Sequence, residues 1–494
     1  MQRSRSLIVA LFLVAAAVLA TPPARAQSVD TLAIRAHTRF LADDALLGRG
    51  TGTEGERLAA AYIASQLERL GLRTAGNASS FLLPIPLRAA EVDPESRLVV
   101  STGLDSAVFR HGRDFIVNTG GAGAFRDFRG RAHFLGQPVH AAPIVAAERS
   151  FVGRVPVFLG PLGAAAVDLV PALSHAGAAG IILLVPDSTQ YDLYVRSRGD
   201  FRYFVDAAVD DPVWQPQLPV LIAGPALTEA LLGDGSGLPP ELIQGGATRS
   251  ADLQRIVNAR IAVTVSDVPS ANIAAVLPGS DPDLSGQYIA NTPHYDHLGI
   301  SAPFEGDSIY NGFSDNAAGV AMLLAIAEAM RDDPPARSVV FLFLSGEERG
   351  LLGSTFLAHA PPVPLDSVVA LINLDAGAPP APPVSWRIAG SDPPDALGLR
   401  ARELAAGRGW TVQLGAASPN SDYWPFLQRG VPAIFIIPGD QWEDTSADER
   451  DALRRRWDRY HRADDHWHPD FPFAGLRRYA ELALLIGLDA AGKH

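Results

Sequence analysis

Between Thr31 and Leu72 the apolar positions Leu58, Ala61, Tyr62, Leu67 and Leu70 recur close to helical spacing, and the glycine-rich stretch 48–55 reads as a turn before the second of two helices. Gly71 stands where a helix stop belongs. Beyond Leu87 the pattern shifts to short apolar runs at 97–101, 154–159, 180–185 and 219–222, which predict strands, with one Ala-rich helical stretch over 164–179. From Ala271 it shifts again. Apolar runs at 273–277, 287–291, 338–344, 368–374, 386–389, 411–414 and 433–437 alternate with amphipathic helical patterns over 317–330, 353–359, 394–406, 422–429 and 476–488.

That last alternation predicts an α/β fold with a mostly parallel central sheet and helices on both faces, because crossovers of this length bring successive strands into parallel register. The middle texture predicts a smaller β-rich insertion. The organisation read from the chain is a leader over 1–26, an N-terminal helical part of the main domain over 27–89, an insertion over 90–265, and the rest of the main domain over 266–494. A chain of 494 residues exceeds the ~250–300 at which single cores stop growing, so more than one domain is expected.

The leader rests on Arg3 and Arg5, the apolar run 7–20 and the small-residue site Ala24-Arg25-Ala26. The run is shorter than the ~20 residues of a spanning helix, so export by a signal peptide, to the periplasm or outside the cell, is expected and a stable membrane anchor is not. No cysteine is present. Stability must therefore come from burial, hydrogen bonds or metal, and thiol catalysis is excluded. The formal charge of −13 argues against nucleic-acid binding, which needs a basic footprint.

Sheets of this kind hold ligands at the carboxyl ends of their strands, and the polar residues fall there. His294-Tyr295-Asp296 follows one predicted strand; His-x-Asp at a strand exit can place a ligand and the acid that orients it on one side. Asp315, in Ser314-Asp315-Asn316-Ala317-Ala318-Gly319, precedes a helix rich in small residues, where a helix N-cap is the competing role. Glu347 and Glu348 leave the very apolar strand 339–344, and adjacent carboxylates at such a place repel unless a positive group receives them. A metal ion would be such a group; Arg349 could neutralise them in part. Asp375 ends a further strand, and His461, His466 and His468 share a polar loop before the last helix, with no local reason to choose among the three. Imidazole and carboxylate donors suit zinc, with manganese or cobalt as substitutes, and one bridging carboxylate would permit two ions.

Taken together these residues resemble the co-catalytic di-zinc exopeptidases, a group that includes bacterial secreted leucyl aminopeptidases, glutamate carboxypeptidase II and the glutaminyl cyclases. The likeness rests on His294-Tyr-Asp296-His, Asp315-Asn-Ala-Ala-Gly, Ser345-Gly-Glu347-Glu348-Arg-Gly-Leu-Leu-Gly-Ser354, Asn373-Leu-Asp375, Ser421-Asp-Tyr-Trp-Pro-Phe426 and Tyr460-His461. It covers the N-terminal helices and nearly everything after Ala271. The resemblance implies that two Zn2+ ions are bound, one by His294 and Asp375, the other by Glu348 and His461, with Asp315 between them. It implies Glu347 as general base, Asp296 as the acid orienting His294, and Tyr460 as a group steadying the oxyanion. Peptides shortened from their amino terminus are the implied substrates.

The insertion resembles a protease-associated domain, chiefly at Gly153-Arg-Val-Pro-Val-Phe-Leu and Gly177-Ala-Ala-Gly-Ile-Ile-Leu-Leu. Two stretches depart from the family pattern: the long one between His294 and Asp315, and the His-rich one after His461 that includes Trp467. A carboxypeptidase or dipeptidase of the same fold would need a cation for the substrate carboxylate, for which Arg349, Arg429 and Arg462 are available. A glutaminyl cyclase would resemble a one-zinc version of the site, and a non-catalytic binding protein would have lost its metals.

Overall fold

The apolar runs of the second half lie side by side as strands in a computed structural model that describes residues 27–492, apart from 77, 118–126, 163–164, 199–200, 207–217, 238–249 and 392. The leader lies outside the described residues. Among those described, ten strands form one sheet. At its centre Ser338–Phe343, Tyr288–Thr292, Val368–Asn373 and Ala433–Pro438 are neighbours in that order, all parallel. The helix Ala318–Arg331 carries the chain from the second of these to the first, and Leu352–His359 from the first to the third.

The sheet is mixed, and the expectation that it is mostly parallel is corrected. Val263–Leu277 runs antiparallel to Ser338–Phe343, Leu82–Val92 antiparallel to Val263–Leu277, and Phe201–Val205 antiparallel to Leu82–Val92. At the other side Ser385–Ala389 is antiparallel to Ala433–Pro438 while Thr411–Gly415 returns to parallel pairing. The reason is connectivity. Parallel neighbours need a crossover of a dozen or more residues, whereas Leu82–Val92 and Val263–Leu277 are the two arms of a ribbon that leaves for the insertion and comes straight back.

Helix Ala318–Arg331 is apolar all round and accordingly almost wholly buried. The stretch Phe313–Arg331 is long and apolar enough to cross a membrane, and 83% of it is buried as the central helix of the core. It packs with Thr31–Leu41, Glu54–Arg69 and Ala474–Ala490 over one face of the sheet, while Leu352–His359 and Tyr423–Gln428 cover the other. Between the arms of the ribbon, residues 97–260 build a second sheet of eight strands with apolar clusters of its own. Phe201–Val205 leaves that region to pair with the first sheet.

Several elements have no counterpart in the predicted set. The hairpin Gly299–Phe304/Asp307–Tyr310 fills the long stretch between His294 and Asp315. The helix Ala447–Trp457 is held at its start by a Ser446/Glu449 capping box and buries no residue, so it offers no apolar stripe to read. The arm Leu82–Val92 holds two prolines and pairs over its whole length.

Candidate metal centre

Each functional side chain stands where a strand or helix ends. His294 lies two residues beyond Tyr288–Thr292 and forms an isolated bridge with Leu344. Its Nδ1 donates to the main-chain oxygen of Asp296 at 3.0 Å, which fixes the tautomer, and Nε2 faces Asp375 Oδ1 at 2.9 Å and Asp315 Oδ1 at 3.1 Å. Asp375 is held from behind by the Ser421 hydroxyl on its other oxygen. The carboxylate of Asp296 is 3.7 Å from His294 Nδ1, so its main-chain oxygen is the nearer orienting group.

Asp315 turns its two oxygens to two sides. Oδ1 faces His294, and Oδ2 faces His461 Nε2 at 2.9 Å. His461 Nε2 is also 3.4 Å from Glu348 Oε2, whose Oε1 meets His297 Nδ1 at 2.7 Å. The N-cap alternative for Asp315 is not what forms: Asn316 Oδ1 accepts from Gly319 N at 2.9 Å, and the Asp315 side chain is left for the site. Of the three histidines in the last loop, His461 is the one brought to the acids; His466 bonds Asn311 Oδ1 at 2.8 Å and His468 Nδ1 accepts from Asp470 N.

Glu347 leaves the same loop as Glu348, half-buried, with its N–H donating to Asp296 Oδ1 at 3.2 Å. Tyr460 is 63% exposed, which disposes of a core role, and its ring stacks on His461 at 3.9 Å. Beside Asp375 a cavity of about 340 Å3 opens, walled by Ala376, Pro379, Pro438, Trp442, Trp457 and Tyr460.

The electrostatics divide the carboxylates into two raised, Glu347 and Asp375, and two lowered, Asp315 and Glu348. Burial pushes the Glu347 carboxyl well up; His294 opposes this, and Asp375, Asp422 and Glu348 reinforce it. Burial would also raise Asp315 and Glu348, but the imidazoles win: His294, His461 and His297 hold Asp315 well below its usual value, and His297 and His461 bring Glu348 to about 2. Burial raises Asp375, against the pull of His294. Burial alone would lower His294 and His461, yet the carboxylates around them raise the first well above its ordinary value and the second to about 10.

Two donor groups thus share Asp315. His294, Asp315 and Asp375 offer atoms within 4.8 Å of one another, and so do His297, Asp315 and Glu348, with His461 closing on the second. Nitrogen and carboxylate oxygen donors in this number and at this burial fit divalent zinc. His297 is the residue that sequence reasoning passed over. It was visible as the last letter of the His294-Tyr-Asp296-His motif, but nothing local says that a fourth residue turns back toward Glu348. Asp465 was missed as well: it is 2% exposed, and its carboxylate accepts both the N–H and the hydroxyl of Ser314, tying the His461 loop to the Asp315 loop.

The mixed α/β sheet gathers acids and imidazoles at the carboxyl ends of its parallel strands, the donor chemistry of a metal site. Residues 272–485 match the family model "Peptidase family M28", a span that holds all six motifs. A "Probable zinc metalloprotease" of Pyrenophora tritici-repentis is 38% identical over 105 residues, 21% of this chain and 23% of that protein. A "Vacuolar membrane protease" of Kluyveromyces lactis is 36% identical over 110 residues, 22% of this chain and 11% of that protein. These matches span about a quarter or less of the curated relatives' length. Among solved structures, an aminopeptidase from Aneurinibacillus sp. strain AM-1 superposes with a TM-score of 0.58 over 95% of each chain at 17% identity, which shows a shared fold.

Proposed function

We propose that the protein is an exported di-zinc aminopeptidase that removes amino-terminal residues from peptides. The observation that carries this reading is the position of Asp315, whose two oxygens face two separate sets of donors, with the raised carboxyl of Glu347 on the adjoining loop. Two zinc ions held there would supply Lewis-acid polarisation and a water acidic enough to be deprotonated near neutral pH. His294, Asp375 and Asp315 would hold one ion; Glu348, His461 and Asp315 the other, with His297 behind Glu348.

Glu347 takes a proton from the attacking water and returns it to the leaving amine, the work of a general base, and burial raises its carboxyl above the ordinary carboxylate range. The cluster of acids around the centre receives a cationic amino terminus, whereas a substrate carboxylate would need a free cation. Arg462 is bound to Asp464 by two bonds of 2.8 and 2.9 Å. The cavity beside Asp375 takes the side chain of the residue removed. Residues 90–265 serve as a protease-associated domain.

The test is hydrolysis of a panel of aminoacyl-p-nitroanilides with and without chelator, alongside Glu347→Gln. Cleavage that chelator abolishes, and that the variant loses by about 10²–10⁴-fold while keeping its zinc, supports the reading. A protein that binds two zinc ions and cleaves none of the panel defeats it and points to dipeptides or carboxyl-terminal substrates.

A further inference from the structure

The N-terminal segment runs beneath the candidate metal centre, far from it in sequence. Arg49 is 1% exposed, and among the described residues its guanidinium makes no carboxylate bond. It donates to four main-chain oxygens instead: Nε to Tyr295 at 2.9 Å, one terminal nitrogen to Leu41 and to Asn311 at 2.6 Å, the other to Gly312 at 3.0 Å. Tyr295 lies between His294 and Asp296, and Asn311 and Gly312 lead into Asp315. One side chain therefore grips both loops that face each other across the centre. The Arg49 carbonyl accepts from the N–H of His297 at 3.1 Å.

Two residues further on, Thr51 donates its hydroxyl to Asp296 Oδ2 at 2.7 Å, the carboxylate whose other oxygen receives the N–H of Glu347. Glu56 then accepts from Gly52 N at 2.5 Å and from the hydroxyls of Ser270 and Ser345, the latter at the root of the Glu347–Glu348 loop. The backbone is held to this course against preference: Leu47 and Arg49 sit at φ 48° and 49°, where side-chain-bearing residues seldom lie. Gly48, at φ 68°, has no room for a Cβ, which would come within 2.3 Å of the Tyr310 oxygen.

We propose that Arg49 and Thr51 are positioning residues for the metal centre: Arg49 fixes the spacing of the His294 and Asp315 loops, and Thr51 fixes the Asp296 carboxylate that places Glu347. This rests on the di-zinc reading above. A guanidinium suits the first task because its planar fork reaches several carbonyls at once and stays charged when buried, bringing a positive group beneath a cluster of acids. An ammonium at the end of a lysine keeps the charge and loses the fork.

The experiment uses the full mature protein as Arg49→Lys, Thr51→Val and Thr51→Ser, and reads zinc affinity by chelator competition, thermal midpoint, and kcat and KM on a leucyl-p-nitroanilide. Arg49→Lys is expected to weaken zinc by about 10–100-fold, the usual effect of losing a group that orients ligands. Thr51→Val is expected to lower kcat by about 10-fold with KM unchanged, and Thr51→Ser to restore it. Wild-type zinc affinity in a folded Arg49→Lys protein overturns the first half. If that variant does not fold, the threonine pair decides: Thr51→Val that matches wild type in kcat, or is not rescued by serine, overturns the proposal. Failure of the aminopeptidase reading is seen separately, as absence of wild-type cleavage, while zinc affinities still compare the variants.

Discussion

At the scale of single residues, the two oxygens of Asp315 have different neighbours, and that asymmetry makes a prediction. On the proposed di-zinc reading, Asp315→Ala is expected to empty both positions, while Asp375→Ala keeps the ion on the His461 side; elemental analysis after dialysis distinguishes them. A second residue-level prediction concerns His37, which is 6% exposed and bonded through Nδ1 to the Tyr62 hydroxyl at 2.9 Å. Burial lowers its pKa to about 4, with Glu328 opposing and Arg69 adding slightly. The unfolded chain binds a proton near pH 6.5 and the folded one does not until about 4. The stability that neutral His37 allows is complete above pH 6.5 and lost as pH falls toward 4, a span worth roughly 3 kcal/mol at most. Urea unfolding with chelator present should show wild type losing about 2 kcal/mol more than His37→Gln between pH 7 and pH 5.

At the scale of elements, the centre depends on how closely helix Ala318–Arg331 approaches the end of strand Val368–Asn373. Gly319 permits that approach: a Cβ there would lie 2.3 Å from Asn316 Oδ1 and 2.4 Å from the main-chain oxygen of Leu374. Leu374 precedes Asp375, and Asn316, which donates to the Leu374 oxygen at 3.0 Å, follows Asp315. Gly319→Ala must therefore push apart the two acids that flank His294. It should cost about 1–3 kcal/mol, as overpacking does, and weaken zinc binding along with the thermal midpoint. A surface change such as Leu399→Ala on helix Ala396–Ala406, at a position 36% exposed, should leave zinc binding untouched and moves stability little.

At the scale of the molecule, the ribbon Leu82–Val92/Val263–Leu277 joins two sheets whose apolar clusters are largely separate. Val92 and Val263 are paired across it, so a short turn can replace the chain between them without changing register. That shortened protein is expected to fold and keep its zinc, with a lower thermal midpoint because Phe201–Val205 no longer covers the edge of Leu82–Val92. Loss of zinc on excision would show that the second sheet supports the centre directly.

The strands and helices that carry His294, Asp315, Glu347, Glu348 and Asp375 were legible because each is a local event: an apolar run whose length and period fix its type, ended by polar residues. The family motifs sit at those ends for the same reason. Sheet direction outside the central strands was not local, since it follows from where the chain returns after some 170 residues of insertion. Nor was the choice of His461 over its neighbours, the turn of His297 toward Glu348, or the seat of Arg49 beneath Tyr295 and Gly312. Those contacts join residues tens to hundreds of positions apart, 246 in the case of Arg49 and Tyr295, and a buried polar group finds its partner only when packing has brought both out of water.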